Sequence, residues 1–240
     1  SAPIKSIAVL PFIIEGGSTE QEYLSDGLTE SLINRLSQFP ELTVKARSSV
    51  FKYKGKEYVP QNAGKELSVQ AVLTGRIIER GDELILNLEI VDVQNGSQIW
   101  GEQYISRKSD IISLQNSIAH DVSHKVKSKL SGTEEQRLVK NPTHNAEAYQ
   151  LYLKGRFHWS KRTGKDMQKS IEYYDQAVAL DPNFALAYAG LADSYVLLSG
   201  YAATSPHESF PKAKNAARKA LELDESLAEA HTSLSYALFN

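Results

Sequence analysis

The sequence predicts two unlike parts, an α/β domain with a mixed sheet followed by an all-α solenoid of helical hairpins. Three observations carry that reading. Ala177-Val178-Ala179-Leu180-Asp181-Pro182 is echoed by Ala220-Leu221-Glu222-Leu223-Asp224-Glu225, each run leading into an alanine- and tyrosine-rich segment. Self-similarity of this kind marks stacked helical pairs, none of which can bury its apolar face alone. Upstream, from Val69 to Ile105, apolar and polar residues alternate with period two, as in half-buried strands. Between the two patterns Ser131 to Asn145 is polar and holds Gly132 and Pro142, which marks a boundary. The expected organisation is therefore 1–131 for the α/β domain, 132–145 for a linker and 146–240 for the repeats, two full and a third cut short.

Taken in order, Ser6 to Phe12 is a short apolar run ended around Pro11, as in a buried strand. Thr19, with Glu22 three residues on, has the spacing of a capping box, in which two side chains satisfy the first free amides of a helix. The helix it opens carries Leu24, Leu28, Leu32 and Leu36 at spacing four and stops before Pro40. Leu42 to Ala46 is a second strand, and Ala63 to Leu67 a short helix after a basic loop. Val69 to Ile78, Leu84 to Val93 and Gln98 to Ile105 are strands joined at Arg80-Gly81-Asp82 and Gln94-Asn95-Gly96-Ser97. Asn-Gly is a strong hairpin signal because both central residues of that turn adopt positive φ. A helix from about Asp110 to Leu130 closes the domain, with Ile111, Leu114, Ile118, Val122 and Val126 as its buried stripe. The element order is β-α-β-(α)-β-β-β-α. Thr133 to Gln136 can open a short connecting helix, and everything after Ala146 is helical in pattern. Ser226 to Asn240 reads as the first helix of a further repeat, so the chain is expected to be a piece of a longer protein.

Composition excludes several functions. Lysine and arginine total 27 against 29 aspartates and glutamates, and the balance holds on both sides, 17 against 18 over 1–140 and 10 against 11 over 141–240. No overall field gathers nucleic acid. With no cysteine, disulfides, thiol nucleophiles and thiolate metal sites are out. No apolar run approaches the ~18–20 residues that span a bilayer, so no membrane insertion by this segment is expected.

Candidate chemistry is sparse. Gly16-Gly17 falls between strand and helix, where phosphate loops occur, yet neither a GxxxxGK[ST] nor a GxGxxG pattern is present; a plain turn is the better reading. His120 and His124 lie four apart on a helix, but tight zinc sites want three or four ligands, so no metal is expected. No GxSxG occurs, and Ser25-Asp26-Gly27 sits within an amphipathic helix, so no catalytic residue and no cofactor are assigned. Lys45, Arg47, Lys52, Lys54 and Lys56 put five cations in one short span with Phe51 and Tyr53 between them. That pattern suits an anion or partner contact, although a solvated loop explains the same lysines.

Several of these segments carry a family resemblance. Ile7-Ala8-Val9-Leu10-Pro11-Phe12, Tyr23-Leu24-Ser25-Asp26-Gly27-Leu28-Thr29-Glu30, Ala46-Arg47-Ser48-Ser49-Val50, Leu73-Thr74-Gly75 and Ile99-Trp100-Gly101-Glu102-Gln103-Tyr104 occur in that order. Together they make the first half resemble the TolB N-terminal-like domain of bacteria, itself similar to the FlgO and CsgG type of envelope domain. The second half resembles tetratricopeptide repeats: Ala148, Gly155, Ser170, Tyr174, Ala177 and Pro182 match in one unit, and Ala185, Tyr188, Leu191, Ala192, Tyr195, Ala213, Ala217 and Ala220 in the next. The turn aspartate recurs at Asp181 and Asp224, a spacing of 43, longer than the ~34 of a standard unit; the surplus is expected in a loop from Ser199 to Phe210. Glu225 stands where the pattern has proline, which should weaken the second turn.

In tetratricopeptide units part of the first helix lines a concave groove. The resemblance thus implies a partner-binding groove lined by Tyr149, Tyr152, Arg156, Trp159, Asp193 and Tyr236, aromatic residues and arginine being what interface hot spots favour. Trp159 would serve equally well for packing against the first domain. Proteins with this pair of domains typically carry a kinase, winged-helix or cyclase domain upstream, and no such domain is present here. The resemblance implies a non-catalytic sensory and interaction segment of a bacterial signalling protein, which would bind a protein partner or a second copy of itself. The alternative is a receptor for a small anion through residues 45–56. Envelope relatives of the first domain imply the extracytoplasmic side of the inner membrane, with the cytoplasm as the alternative.

Overall fold

A computed structural model describes residues 4–16, 21–126, 141–201 and 204–239. The chain divides into two compact units, Ser1–Lys140 and Asn141–Asn240.

The apolar run at the start of the first unit forms two strands, not one. β1 (Ser6–Val9) ends, the Leu10 amide donates to the Leu73 carbonyl at 2.9 Å, and β2 (Ile13–Glu15) resumes pairing further along. Pro11 has no N–H to donate, which accounts for the break. Helix α1 (Glu22–Leu36) satisfies the backbone there: the Thr29 hydroxyl accepts from the Phe12 amide at 3.2 Å and Ser25 Oγ donates to the Phe12 carbonyl. Ser25 and Thr29, both buried, are four residues apart and so share one face of the helix. Leu24, Leu28, Leu32 and Leu36 of the same helix are buried as well. The capping threonine read from the sequence, Thr19, lies outside the described residues; Gln21 holds the N-cap position, and its side chain does not cap the helix amides.

The sheet runs β3-β1-β4-β5-β6, with β3 (Thr43–Val44), β4 (Ala71–Arg80), β5 (Glu83–Asp92) and β6 (Gln98–Arg107), and β2 alongside β4. β1 pairs parallel with β3 and β4, whereas β4, β5 and β6 form an antiparallel meander, so the sheet is mixed. The stretch expected to be a basic loop is partly helical: α2 (Arg47–Val50) and a 3-10 turn at Phe51–Tyr53 precede α3 (Pro60–Glu66). Pro60 opens α3 at a first-turn position, where its missing amide costs nothing. The Asn95-Gly96 turn also differs from expectation. Only Gly96 has positive φ, and Asp92 Oδ1 accepts from the amides of Gln94 and Asn95, making a wider loop than the two-residue turn.

The two faces of the meander differ. Ile77, Leu86 and Tyr104 form one cross-strand row, and the Tyr104 hydroxyl donates to Asp121 at 2.7 Å on α4 (Ile111–Val126). Burial and that bond hold the Tyr104 hydroxyl well above its ordinary pKa, so it stays protonated. All five stripe residues of α4 are buried; the end of that predicted helix and the Thr133–Gln136 cap lie outside the described residues. On the opposite face α3 covers Val72 and Val93, approaching so closely that a Cβ on Gly64 would fall 2.2 Å from Val93 Cγ2. Further along, Arg76, Asn87 and Gln103 form an open polar row in which Gln103 donates to Asn87 at 2.7 Å.

The second unit consists of α5 (Ala146–Ser160), α6 (Gly164–Leu180), α7 (Ala185–Gly200), α8 (Pro206–Leu223) and α9 (Ala228–Phe239). Each packs on the next, and α7 also touches α5 and α9. Asn145 and Thr163 cap α5 and α6 by accepting the amides of Ala148 and Asp166. Small residues let the helices close: Ala187, Ala192, Ala213, Ala217 and Ala220 are fully buried, and the buried hydroxyls of Ser170 and Ser194 bond at 2.8 Å. The Tyr174 ring lies between α5 and α7, where a Cβ on either Gly155 or Gly190 would sit 2.5 Å from it.

The Ser199 to Phe210 loop is a correction, since α8 begins at Pro206 and takes up the last five of those residues. Proline is well placed in a first helical turn. The replacement of Pro182 by Glu225 leaves the repeat turn unchanged in kind. Asp181 Oδ1 accepts from the Asn183 amide at 3.0 Å and Asp224 Oδ1 from the Ser226 amide at 3.1 Å, so the aspartate makes the turn in both places.

Candidate functional site

The groove residues inferred from the sequence separate into two groups. Tyr149 is 3% exposed and Tyr152 half-buried, and their rings meet Phe184 at 6.4 and 5.2 Å, with Tyr152 also 5.8 Å from Tyr174. They belong to an aromatic cluster inside the unit. Tyr149 is therefore corrected to a packing residue: on helix α5 it falls seven residues, or two turns, before Arg156, but its ring is directed inward.

Three of the remaining residues, Arg156, Trp159 and Asp193, converge. The Arg156 guanidinium lies 4.8 Å from the Trp159 ring and that of Arg162 lies 3.6 Å from it, stacking distances at which a cation meets the negative face of the indole. Both arginines act electrostatically on Asp193 of α7, which accepts a hydrogen bond from Ser233 of α9 at 3.1 Å. Tyr236, one turn beyond Ser233, is 52% exposed and meets Phe210 edge-on at 6.2 Å. Arg156, Trp159, Arg162, Asp193 and Ser233 thus form one charged and aromatic patch across α5, α7 and α9. Ser233 was not legible from the sequence as a site residue; serine 43 residues after Gly190 reads only as another small packing residue.

Burial holds the Asp193 carboxyl above its ordinary 3.8, against the opposing pull of Ser233 and the two arginines. A carboxyl raised on folding binds its proton more tightly in the native state. Its contribution to stability is full below 3.8 and is lost as the pH rises through the raised value. Urea titrations at successive pH values should therefore show the stability of the wild type, relative to Asp193→Asn, falling across that window. A difference that stays flat with pH would contradict the burial of this carboxyl.

The basic segment of the first unit is largely engaged with its own carboxylates. Arg47 pairs with Glu30 at 3.4 Å and lies 3.8 Å over the Phe51 ring. Lys52 and Tyr53 bond Glu66 and hold its carboxyl below the ordinary range. Lys54 bridges Asp26 at 2.8 Å and Glu22 at 2.9 Å. Asp26 is 5% exposed, and burial raises its carboxyl despite Lys54. Lys45 is half-buried and Lys56 exposed. An incoming anion would have to displace Glu22, Asp26, Glu30 and Glu66 from three of the five cations. Ser25 and Asp26 are thereby explained as structural groups. The rings of His120 and His124 lie 4.3 Å apart and tilted to one another, with His120 at 3.2 Å from Asp121, and among the described residues no three histidines or carboxylates are grouped to hold a metal.

Comparison with known proteins gives this arrangement a context. A family model described as the HilA/YgeH-like transcriptional regulator, second domain, matches residues 4–121. Over 237 residues the chain is 30% identical to a putative adenylate cyclase 3 of Rhizobium meliloti (strain 1021), covering 97% of this chain and 40% of that protein. It is 22% identical over 224 residues to the transcriptional regulator HilA of Salmonella typhimurium, covering 92% and 39%. The chain thus spans about two fifths of the length of these curated relatives. Among solved structures, TolB from Acinetobacter baumannii aligns with 55% of this chain and 30% of its own, at 16% identity and a TM-score of 0.40. The relatives are consistent with a regulatory or signalling segment. No described helix is long and apolar enough to cross a membrane.

Proposed function

We propose that this chain is a non-catalytic regulatory and protein-interaction segment of a larger bacterial signalling protein. The observation that carries the reading is a shared length. The same stretch, nearly the whole chain, aligns with two fifths of a putative cyclase and with two fifths of a transcriptional regulator. What two proteins with differently named outputs have in common is more economically a controlling part than either output. The catalytic or DNA-binding work then belongs to the rest of each protein.

Within the segment the second unit acts as a tetratricopeptide-type solenoid and supplies the docking surface. Support comes from its paired helices, the glycine-flanked Tyr174 and the patch of Arg156, Trp159, Arg162, Asp193 and Ser233. Arginine and tryptophan are the residues most enriched at binding hot spots. With Lys154, Lys161 and Lys165 on and just beyond α5, the patch favours a protein segment carrying carboxylates. The anion-receptor alternative has less support, because three of its five cations already face carboxylates.

The test uses a full-length protein that contains the segment. Deleting residues 141–240 should leave the output activity measurable but free of its normal control. Loss of the catalytic or DNA-binding activity itself, with the remainder folded, would place chemistry within these residues and overturn the reading.

A further inference from the structure

We propose that β6 pairs antiparallel with β6 of a second copy of this chain, about a two-fold axis through Tyr104. The inference is independent of the docking patch on the helical unit. β6 ends the sheet, is ten residues long, and has no buried residue along it. An edge strand offers a row of unpaired amides and carbonyls, which proteins usually blunt with short length, lysine or proline. β6 has neither lysine nor proline, and Ile105 on it is 62% exposed. The register against β5 shifts between Ile90 and Val91, leaving Ile99 without a partner residue, so Trp100 to Arg107 form an unbroken edge.

The charges identify the occupant. Glu89 of β5 stands opposite Gly101 of β6, which has no side chain of its own, so only the Gln98 amide lies between Glu89 and the open edge. Neither Glu89 nor Arg107 makes an ion pair among the described residues, although Arg107 stands across from Glu83. A two-fold axis perpendicular to the sheet keeps each face on its own side. With Tyr104 on that axis, Gly101 of one copy meets Arg107 of the other, and Gln103 meets Ile105. The row Glu89–Gly101 is then continued by the second copy's Arg107, two strand spacings from Glu89, about 10 Å between Cα atoms. An extended arginine and a glutamate bridge that span, and symmetry makes the contact twice. The exposed Gln98 amide now lies over Gly101, where a Cβ would fall 2.2 Å from it, and it makes no hydrogen bond among the described residues to hold it there. One sheet edge that supplies both the anion, Glu89 on β5 behind Gly101, and the matching cation, Arg107 on β6, fits a second copy better than an unrelated peptide.

Sedimentation of the 240-residue chain should show a reversible dimer. Glu89→Arg and Arg107→Glu should each weaken it by about tenfold or more by placing like charges together, and the double exchange should restore it, with circular dichroism confirming the fold. Since the chain has no cysteine, Tyr104→Cys gives a second reading: mild oxidation should cross-link two copies through that one thiol. A monomer at every concentration, a dimer unaffected by both single reversals, or a dimer that Tyr104→Cys cannot cross-link would each overturn the proposal.

Discussion

Replacing Tyr174 with alanine should destabilise the helical unit by about 3–5 kcal/mol, the usual cost of removing a buried aromatic ring. The ring is fully buried and touches α5 and α7 at once, so the cavity would open between two helices and not within one. For a unit of this size, that loss corresponds to a fall of roughly 12–40 °C in melting temperature. The two glycines test the same contact from the other side. In Gly155→Ala or Gly190→Ala the added Cβ would meet the ring at 2.5 Å, and the helices must separate. Each should cost about 1–3 kcal/mol by overpacking, although alanine in a helix is intrinsically better than glycine by about 1 kcal/mol. Tyr174→Phe keeps the ring and should cost no more than about 1.5 kcal/mol. Calorimetry of the four variants checks the ordering, and glycine variants as stable as the wild type would mean that the ring does not set the helix spacing.

The second large effect is on binding. Arg156→Ala and Trp159→Ala should each weaken partner binding by about 2 kcal/mol or more, roughly thirtyfold in Kd. The two changes should not add, because Arg156 stacks on Trp159, and removing the indole already removes what orients the guanidinium. Tyr149→Ala should behave differently, lowering stability with the binding surface intact, since its ring is 3% exposed. Titrating the partner into each folded variant separates the two outcomes.

Periodicity in the sequence marks most of the elements. Leucine at spacing four placed α1, period-two alternation placed β4 to β6, and the repeated aspartate turn placed the pairs α6–α7 and α8–α9. What escaped was decided by single hydrogen bonds between distant residues. Ser25 and Thr29 look like ordinary helix polar residues until Phe12, broken out of its strand by Pro11, needs their hydroxyls. The two short helical turns in the basic segment lack a repeating apolar pattern, being only four and three residues long. In the patch, Arg156, Trp159 and Asp193 were legible from their places on first helices. Tyr149 was misjudged because a helical face defined by sequence spacing does not say which edge of that face turns inward. Ser233 has no chemical signature of its own; only the position of Asp193 opposite it makes it part of the site.

The most direct test of the partner-docking account is photo-crosslinking in the native host, with a photoreactive phenylalanine replacing Tyr236, which is 52% exposed. A matched chain would carry the same group at Gln176, exposed on the second helix α6. The account predicts a discrete protein adduct from position 236 that disappears when Arg156 or Trp159 is alanine, and none of comparable yield from position 176. Adducts of equal yield from both positions, or an adduct at 236 that survives both alanine substitutions, would contradict it.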